Sequence, residues 1–203
     1  MPEREGIISL KFNRKLSRPI TKLLAKFKFV TPNQVTIFVF FMTLLASSLY
    51  FINFALLAGF LVQLASILDG VDGELATLTK RRKKYGKYLD AILDKYGDSF
   101  IIIGLTHFAF VNENFSYAYY LGMLVIMFLL MLPYTSYRSI LSFNKEPHGK
   151  YAFYLASTDM RRFIIFIGST FTLFYTNAIT VTLIILVVTH SVVPLKRIFY
   201  KNK

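Results

Sequence analysis

The sequence predicts an all-α polytopic membrane protein, with six transmembrane helices preceded by an N-terminal amphipathic helix in the membrane interface. Three observations carry that expectation. The 203 residues are 55% hydrophobic and 17% aromatic with a mean hydropathy of +0.50, too apolar for a soluble domain of this length. The apolar residues gather into runs of spanning length separated by short polar segments. Lysine and arginine, which set a net charge of +13, collect in alternate connections between those runs. Cations placed this way suit anionic lipid headgroups and phosphorylated substrates, and they argue against nucleic acid as a partner. There is no cysteine, so neither a disulfide framework nor a thiolate site is available.

The elements follow in chain order. Residues 1–30 read as a juxtamembrane amphipathic arm. Residues 1–5 are polar with two glutamates, so no signal peptide is expected. Ile8, Phe12, Leu16, Ile20, Leu23 and Phe27 then recur at steps of three and four, with Lys11, Arg14, Lys15, Arg18, Lys22 and Lys26 opposite. That pattern predicts a helix lying along the interface with its basic face towards headgroups, bent or restarted at Pro19. Residues 31–203 read as the six-helix membrane domain. Thr31 can cap its first helix with Pro32 at the first helical position. Spans are expected at 35–53, 55–78, 88–110, 118–141, 163–175 and 178–193. The fifth falls short of the ~20 residues a span needs, so it is expected to begin earlier, near Tyr154. The basic run 80–84 closes the second span as a solvated loop. Basic residues crowd the arm, that loop, 138–162 and 196–203, while the intervening connections carry none. By the positive-inside rule both termini face the cytoplasm from a cytoplasmic membrane.

The chemistry is concentrated in 68–98. Of six aspartates, Asp69, Asp72, Asp90, Asp94 and Asp98 fall here, between long apolar runs, and only Asp159 lies elsewhere. Carboxylates at membrane depth are costly and mark function. On helices, Asp69 and Asp72 share one face, and Asp90, Asp94 and Asp98 share another. Two such faces brought together form an oxygen-only cage suited to a hard divalent cation, Mg²⁺ above all, held jointly with substrate phosphates. Asp98 extends its stripe by one turn, either behind the metal ligands or as a partner for Lys95. Glu74 points away from Asp72 by helix geometry. His107, His148 and His190 are scattered and are not expected to be ligands.

The spacing Asp69-x-x-Asp72-Gly73-x-x-Ala76, followed by Gly86-x-x-x-Asp90-x-x-x-Asp94, closely resembles the signature of the CDP-alcohol phosphotransferases. These are integral membrane enzymes that move a substituted phosphate from a CDP-linked donor onto an alcohol. The resemblance implies Mg²⁺ or Mn²⁺, two ions, held by Asp69, Asp72, Asp90 and Asp94. Asp94 is then the expected catalytic base or an additional ligand. It implies a nucleotide site at Asn33 and Thr36 of the Thr-Pro-Asn-Gln-Val-Thr element, with Asp72, Gly73, Ala76 and Gly86. Glycines at 73 and 86 let a nucleotide approach the backbone, and helix packing is their other reading. The chain departs from the pattern at Thr77, where the family carries an arginine that contacts the donor diphosphate. Lys80 or Arg81, one turn on, are the candidate substitutes.

Within the family, the arm with Gly6-Ile7-Ile8-Ser9, Asn13-Arg14 and Arg18-Pro19-Ile20, together with the Asp69–Ala76 run, resembles the membrane domain of di-myo-inositol phosphate phosphate synthases. That implies CDP-inositol as donor and inositol 1-phosphate as acceptor. Arg138, Arg161 and Arg162 would grip the acceptor phosphate through planar guanidinium forks. Arg162 equally fits a membrane-anchoring role. A homodimer is also implied. The alternative keeps the acceptor and uses a CDP-lipid donor, giving a phosphatidylinositol-phosphate or archaetidylinositol-phosphate lipid. In the di-myo-inositol phosphate phosphate synthase branch the membrane domain is often fused to a soluble cytidylyltransferase domain. The 203 residues hold none, leaving a stand-alone transferase or a piece of a longer chain. The competing class is a cation transporter with an intramembrane acidic site. It fits less well, because the acids lie at one end of their spans and the third span is almost wholly apolar beyond Asp98.

Overall fold

The structure, a computed structural model, describes residues 8, 12–81, 83–143 and 156–198. Residues 6, 7 and 9 of the arm, Lys11, Arg82, His148 and the expected start of the fifth span near Tyr154 lie outside the described residues. Those described form seven α-helices and no strand: α1 (Arg14–Leu24), α2 (Pro32–Phe51), α3 (Ala55–Leu78), α4 (Lys84–Asn112), α5 (Ala118–Phe143), α6 (Thr158–Phe171) and α7 (Ala178–Ile198). By length and composition α2, α3, α5 and α7 can cross a membrane. The other two expected spans differ for physical reasons. Helix α4 is long enough but carries Asp90, Asp94, Lys95 and Asp98, and α6, at 14 residues, is about 21 Å long against a hydrocarbon core of about 30 Å.

Local chemistry places the helix ends. Thr31 caps α2 as expected: its hydroxyl accepts from the Gln34 amide, and the Gln34 side chain accepts from the Thr31 amide at 2.8 Å, a reciprocal capping box with Pro32 behind it. Helix α3 ends in a Schellman arrangement. The Arg81 amide donates to the Ala76 carbonyl at 2.9 Å and the Lys80 amide to Thr77 at 3.2 Å, with Lys80 in the left-handed region at φ 56°.

Helices α2, α3, α6, α7, α5 and α4 pack in a closed ring, each on the next, with α4 also touching α7 across it. Ala46, Tyr50, Ala58, Val62, Ile101, Leu105, Val125, Ile165, Leu183 and Leu186 fill the centre. Away from the acids the helices approach through small residues. A Cβ on Gly104 would come within 2.8 Å of the Ser47 carbonyl oxygen, and one on Gly122 or Gly168 would collide with Thr106 or Thr182. Glu113, in the α4–α5 connection, closes the start of α7 by accepting from the amides of Ile179 (2.8 Å) and Thr180 (2.7 Å).

Helix α1 turns a polar face to the bundle. Its buried side chains are polar, Ser17 and Thr21 preceded by Asn13, whereas the apolar Phe12, Leu16 and Leu23 are exposed. The reason is a matching polar stripe on α3. Asn13 donates to Ser66, and Arg14 donates to the Gly70 carbonyl (3.2 Å) and Glu74 (2.6 Å), while Thr21 donates to Glu74 (2.7 Å). Glu74, turned away from Asp72, is therefore the residue on which α1 docks.

Candidate active site

Helices α2, α3, α4 and α6 meet at the acidic end of the ring. Helix α3 supplies Asp69 and Asp72, one turn apart, and α4 supplies Asp90 and Asp94. Asp69, Asp90 and Asp94 each turn one carboxylate oxygen inward so that all three lie within 4.8 Å of one another, and Asp72 lies beside Asp90. The oxygens expected from spacing alone are thus brought to one place. Thr36 of α2 donates its hydroxyl to Asp72, fixing that carboxylate from a third helix. A cleft lined by Thr36, Val39, Phe40, Thr43, Leu93, Asp69, Asp94 and Arg162 opens between α2 and α4.

Four carboxylates at this separation repel one another strongly in a low dielectric. Arg162 offsets part of that charge: its Nη2 donates to Asp94 at 3.0 Å and its Nη1 lies 3.4 Å from Asp69. The donor set is all oxygen, clustered, anionic and half-buried, which fits hard divalent cations.

The expected nucleotide residues surround the same acids. Gly73 faces open space, with nothing within 4 Å of where a Cβ would stand, and Ala76 is buried one turn on. Gly86 meets a closer neighbour, since a Cβ there would come within 2.9 Å of Asn33 Oδ1. The glycine lets the start of α4 lie against the start of α2. Thr77 bonds back to its own helix, donating to the Gly73 carbonyl at 2.9 Å. Arg81, one of the two candidate substitutes for the usual arginine, donates to the carbonyl of Lys28 (3.1 Å) and reaches that of Val30 (3.5 Å), holding the α1–α2 connection.

The three arginines expected on an acceptor phosphate are placed differently from one another. Arg138 is exposed on α5 and makes no ion pair with a described residue. Arg161 and Arg162, only 1% exposed, are instead buried beside the acids. Arg161 donates Nη2 to Asp98 and Nη1 to His190 Nε2 at 3.2 Å. Asp98 takes Arg162 Nε on its other oxygen at 3.0 Å. The direct partners of Asp98 are therefore two arginines of α6 rather than Lys95 alone. His190 keeps a proton on Nδ1 for the Leu186 carbonyl, which leaves Nε2 to accept from Arg161. Sequence reading missed this cluster and that of Asn13, Ser66 and Asp159, because both join residues far apart in the chain.

A profile of the family described as CDP-alcohol phosphatidyltransferase matches residues 29–193. The chain belongs to that family. Among the relatives of this chain is the bifunctional IPC transferase and DIPP synthase of Thermococcus kodakarensis, 37% identical over 66% of this chain and 30% of its own length. The archaetidylinositol phosphate synthase of Pyrococcus horikoshii is 29% identical over 86% of this chain and 85% of its own. The chain therefore spans under a third of the first relative and most of the second. In fold it matches the phosphatidylinositol phosphate synthase of Mycobacterium tuberculosis, solved with CDP-DAG bound and separately with manganese and citrate. The first of these superposes with a TM-score of 0.75 at 18% identity, covering 91% of this chain and 92% of that one.

Proposed function

We propose that this phosphatidyltransferase-family chain joins CDP-inositol to inositol 1-phosphate, releasing CMP and forming di-myo-inositol phosphate phosphate. The observation that carries the transferase reading is the oxygen cage of Asp69, Asp90 and Asp94 with Asp72 beside it. Asp69, Asp72, Asp90 and Asp94 would hold two Mg²⁺ or Mn²⁺ ions, which when bound would neutralise the donor diphosphate and stabilise charge on the attacking and leaving oxygens. Asn33, Thr36, Asp72, Gly73, Ala76 and Gly86 border the nucleotide. Asp94 takes the proton of the acceptor hydroxyl as its oxygen bonds to the phosphorus that bears the donor alcohol, and the phosphoanhydride bond to CMP breaks. Arg138, open on α5, and Arg162, whose buried Nη1 lacks a hydrogen bond, serve the acceptor phosphate. Arg161 contributes behind Arg162, its charge already taken up by Asp98.

The reading extends to the membrane. The four apolar helices together with α4 and α6 form six spans, with the acids and both termini on the cytoplasmic side. Helix α1 rests in the interface with Phe12, Leu16 and Leu23 towards lipid and its polar stripe on α3, and the protein acts as a homodimer.

A second reading replaces the donor with a CDP-lipid. It is favoured by the Pyrococcus horikoshii synthase, which matches along 85% of its length. One experiment separates the two: purified protein with Mg²⁺ and labelled inositol 1-phosphate is given each donor in turn, and the product is partitioned between water and solvent. Aqueous label formed only with CDP-inositol supports the proposal. Label extracted into solvent with CDP-diacylglycerol or CDP-archaeol overturns it in favour of the second reading.

A further inference from the structure

Among the aspartates of α4, Asp98 is the one that the chemistry above leaves without a role. It lies on the same stripe as Asp90 and Asp94 but is 2% exposed and is not one of the three carboxylates that converge in the cage. Both of its oxygens are taken, one by Arg161 Nη2 and the other by Arg162 Nε. Two charged side chains with almost no exposure, committed to one carboxylate, are expensive to bury. The arrangement therefore needs a reason beyond holding α4 to α6.

The geometry supplies one. A guanidinium is a rigid planar fork, so gripping it at Nε sets the direction of both terminal nitrogens. With Nε held by Asp98, Arg162 presents Nη2 to Asp94 on α4 and Nη1 to Asp69 on α3. Arg161 fixes the other Asp98 oxygen and is itself fixed by His190 of α7 and by Thr158 at 3.3 Å. A chain of contacts thus runs from α7 through Arg161, Asp98 and Arg162 to one metal-binding carboxylate on each of the two helices that form the cage.

We infer that Asp98 is a positioning residue for the metal site: by orienting Arg162 it sets the separation of Asp69 and Asp94 before any ion arrives. This rests on the metal-binding role proposed for those aspartates. Groups that orient metal ligands from behind change metal affinity by about 10- to 100-fold when removed.

The test is a Mn²⁺ titration of the purified protein in detergent without substrates, followed by the free Mn²⁺ electron paramagnetic resonance signal. Asp98→Asn should weaken Mn²⁺ binding about 10-fold or more. Because that variant also leaves the site one positive charge richer, Asp98→Leu combined with Arg161→Met provides the control. It removes one negative and one positive charge and replaces a buried ion pair with apolar groups of similar volume, which proteins commonly tolerate. If Asp98 acts by orienting Arg162, the double variant remains weakened although its charge balance is restored, and Arg162→Lys, which keeps the charge and loses the fork, is weakened similarly. Wild-type affinity in the double variant, with helicity and melting temperature retained, overturns the inference and leaves a simple charge effect. Affinity in Asp98→Asn within two-fold of wild type overturns it as well. A wild-type protein that binds no Mn²⁺ overturns the metal reading itself, an outcome distinct from the other two.

Discussion

At the end of the ring away from the acids, helices meet through glycine, serine and threonine, whereas at the acidic end charge is added to such contacts, among them Gly97 on Thr43. Gly104 on Ser47, Gly122 on Thr106 and Gly168 on Thr182 bring backbones together by shape, with Glu113 capping α7 as the charged exception. At the other end four carboxylates are crowded together, Asp69 and Asp94 of them against Arg162, and α1 docks through Asn13, Arg14, Ser17 and Thr21. Close packing between helices is short-ranged and is complete without any ligand. A cluster of like charges is not, since its repulsion in a low dielectric has to be relieved by counter-charge or by taking up protons. One end is therefore a scaffold, and the proposed metal site lies at the other.

Substitutions at the two ends should separate catalysis from stability. The largest effect is expected from Asp69→Asn, Asp72→Asn and Asp90→Asn, each of which removes a ligand and a charge. CMP release under Mg²⁺ should fall at least about 100-fold, with melting temperature little changed. Full turnover by any one of them would break the assignment. Asp94→Asn sharpens the comparison within the cage. Turnover should fall more than CDP-donor binding if its main task is proton removal, and both should fall together if it is chiefly a ligand.

Next come the cations. Arg138→Ala and Arg162→Ala should each raise the acceptor KM by about 10- to 100-fold, matching a charge-assisted phosphate contact of ~1.5–3 kcal/mol, while the donor KM stays nearly constant in Arg138→Ala. An unchanged acceptor KM in both would return them to charge balance and anchoring.

The scaffold end should respond in the opposite manner. Gly122→Val forces side-chain carbons onto Thr106 and should cost about 1–3 kcal/mol of stability, read as a lower melting temperature in detergent, without altering Mn²⁺ affinity. The smallest effect is expected from Glu113→Gln, which keeps an acceptor for one amide of α7 but loses the negative charge at a helix start, about 1 kcal/mol. A clear loss of activity per folded molecule in either variant would mean that the two ends are coupled after all.

Sequence by itself determined the helices and the identity of the acids. The apolar runs place α3 at its observed ends, Ala55 and Leu78, and Thr31-Pro32 places the start of α2, because hydropathy and capping are local properties that neighbouring residues express without distant partners. The three- and four-residue steps of Asp69, Asp72, Asp90 and Asp94 likewise put each pair on one face before anything else is known. What those acids do with the rest of the chain was decided only by tertiary structure. Arg161 and Arg162 read in sequence as phosphate-binding or anchoring residues, yet Asp98, more than sixty positions away, holds both of them. The arm reads as a helix with its basic face towards headgroups, and the structure adds that Asn13, Arg14, Ser17 and Thr21 face polar groups on α3. Buried charges and hydrogen bonds take their partners from whichever helices the apolar packing brings alongside. Nothing in the spacing of a single segment encodes that neighbour.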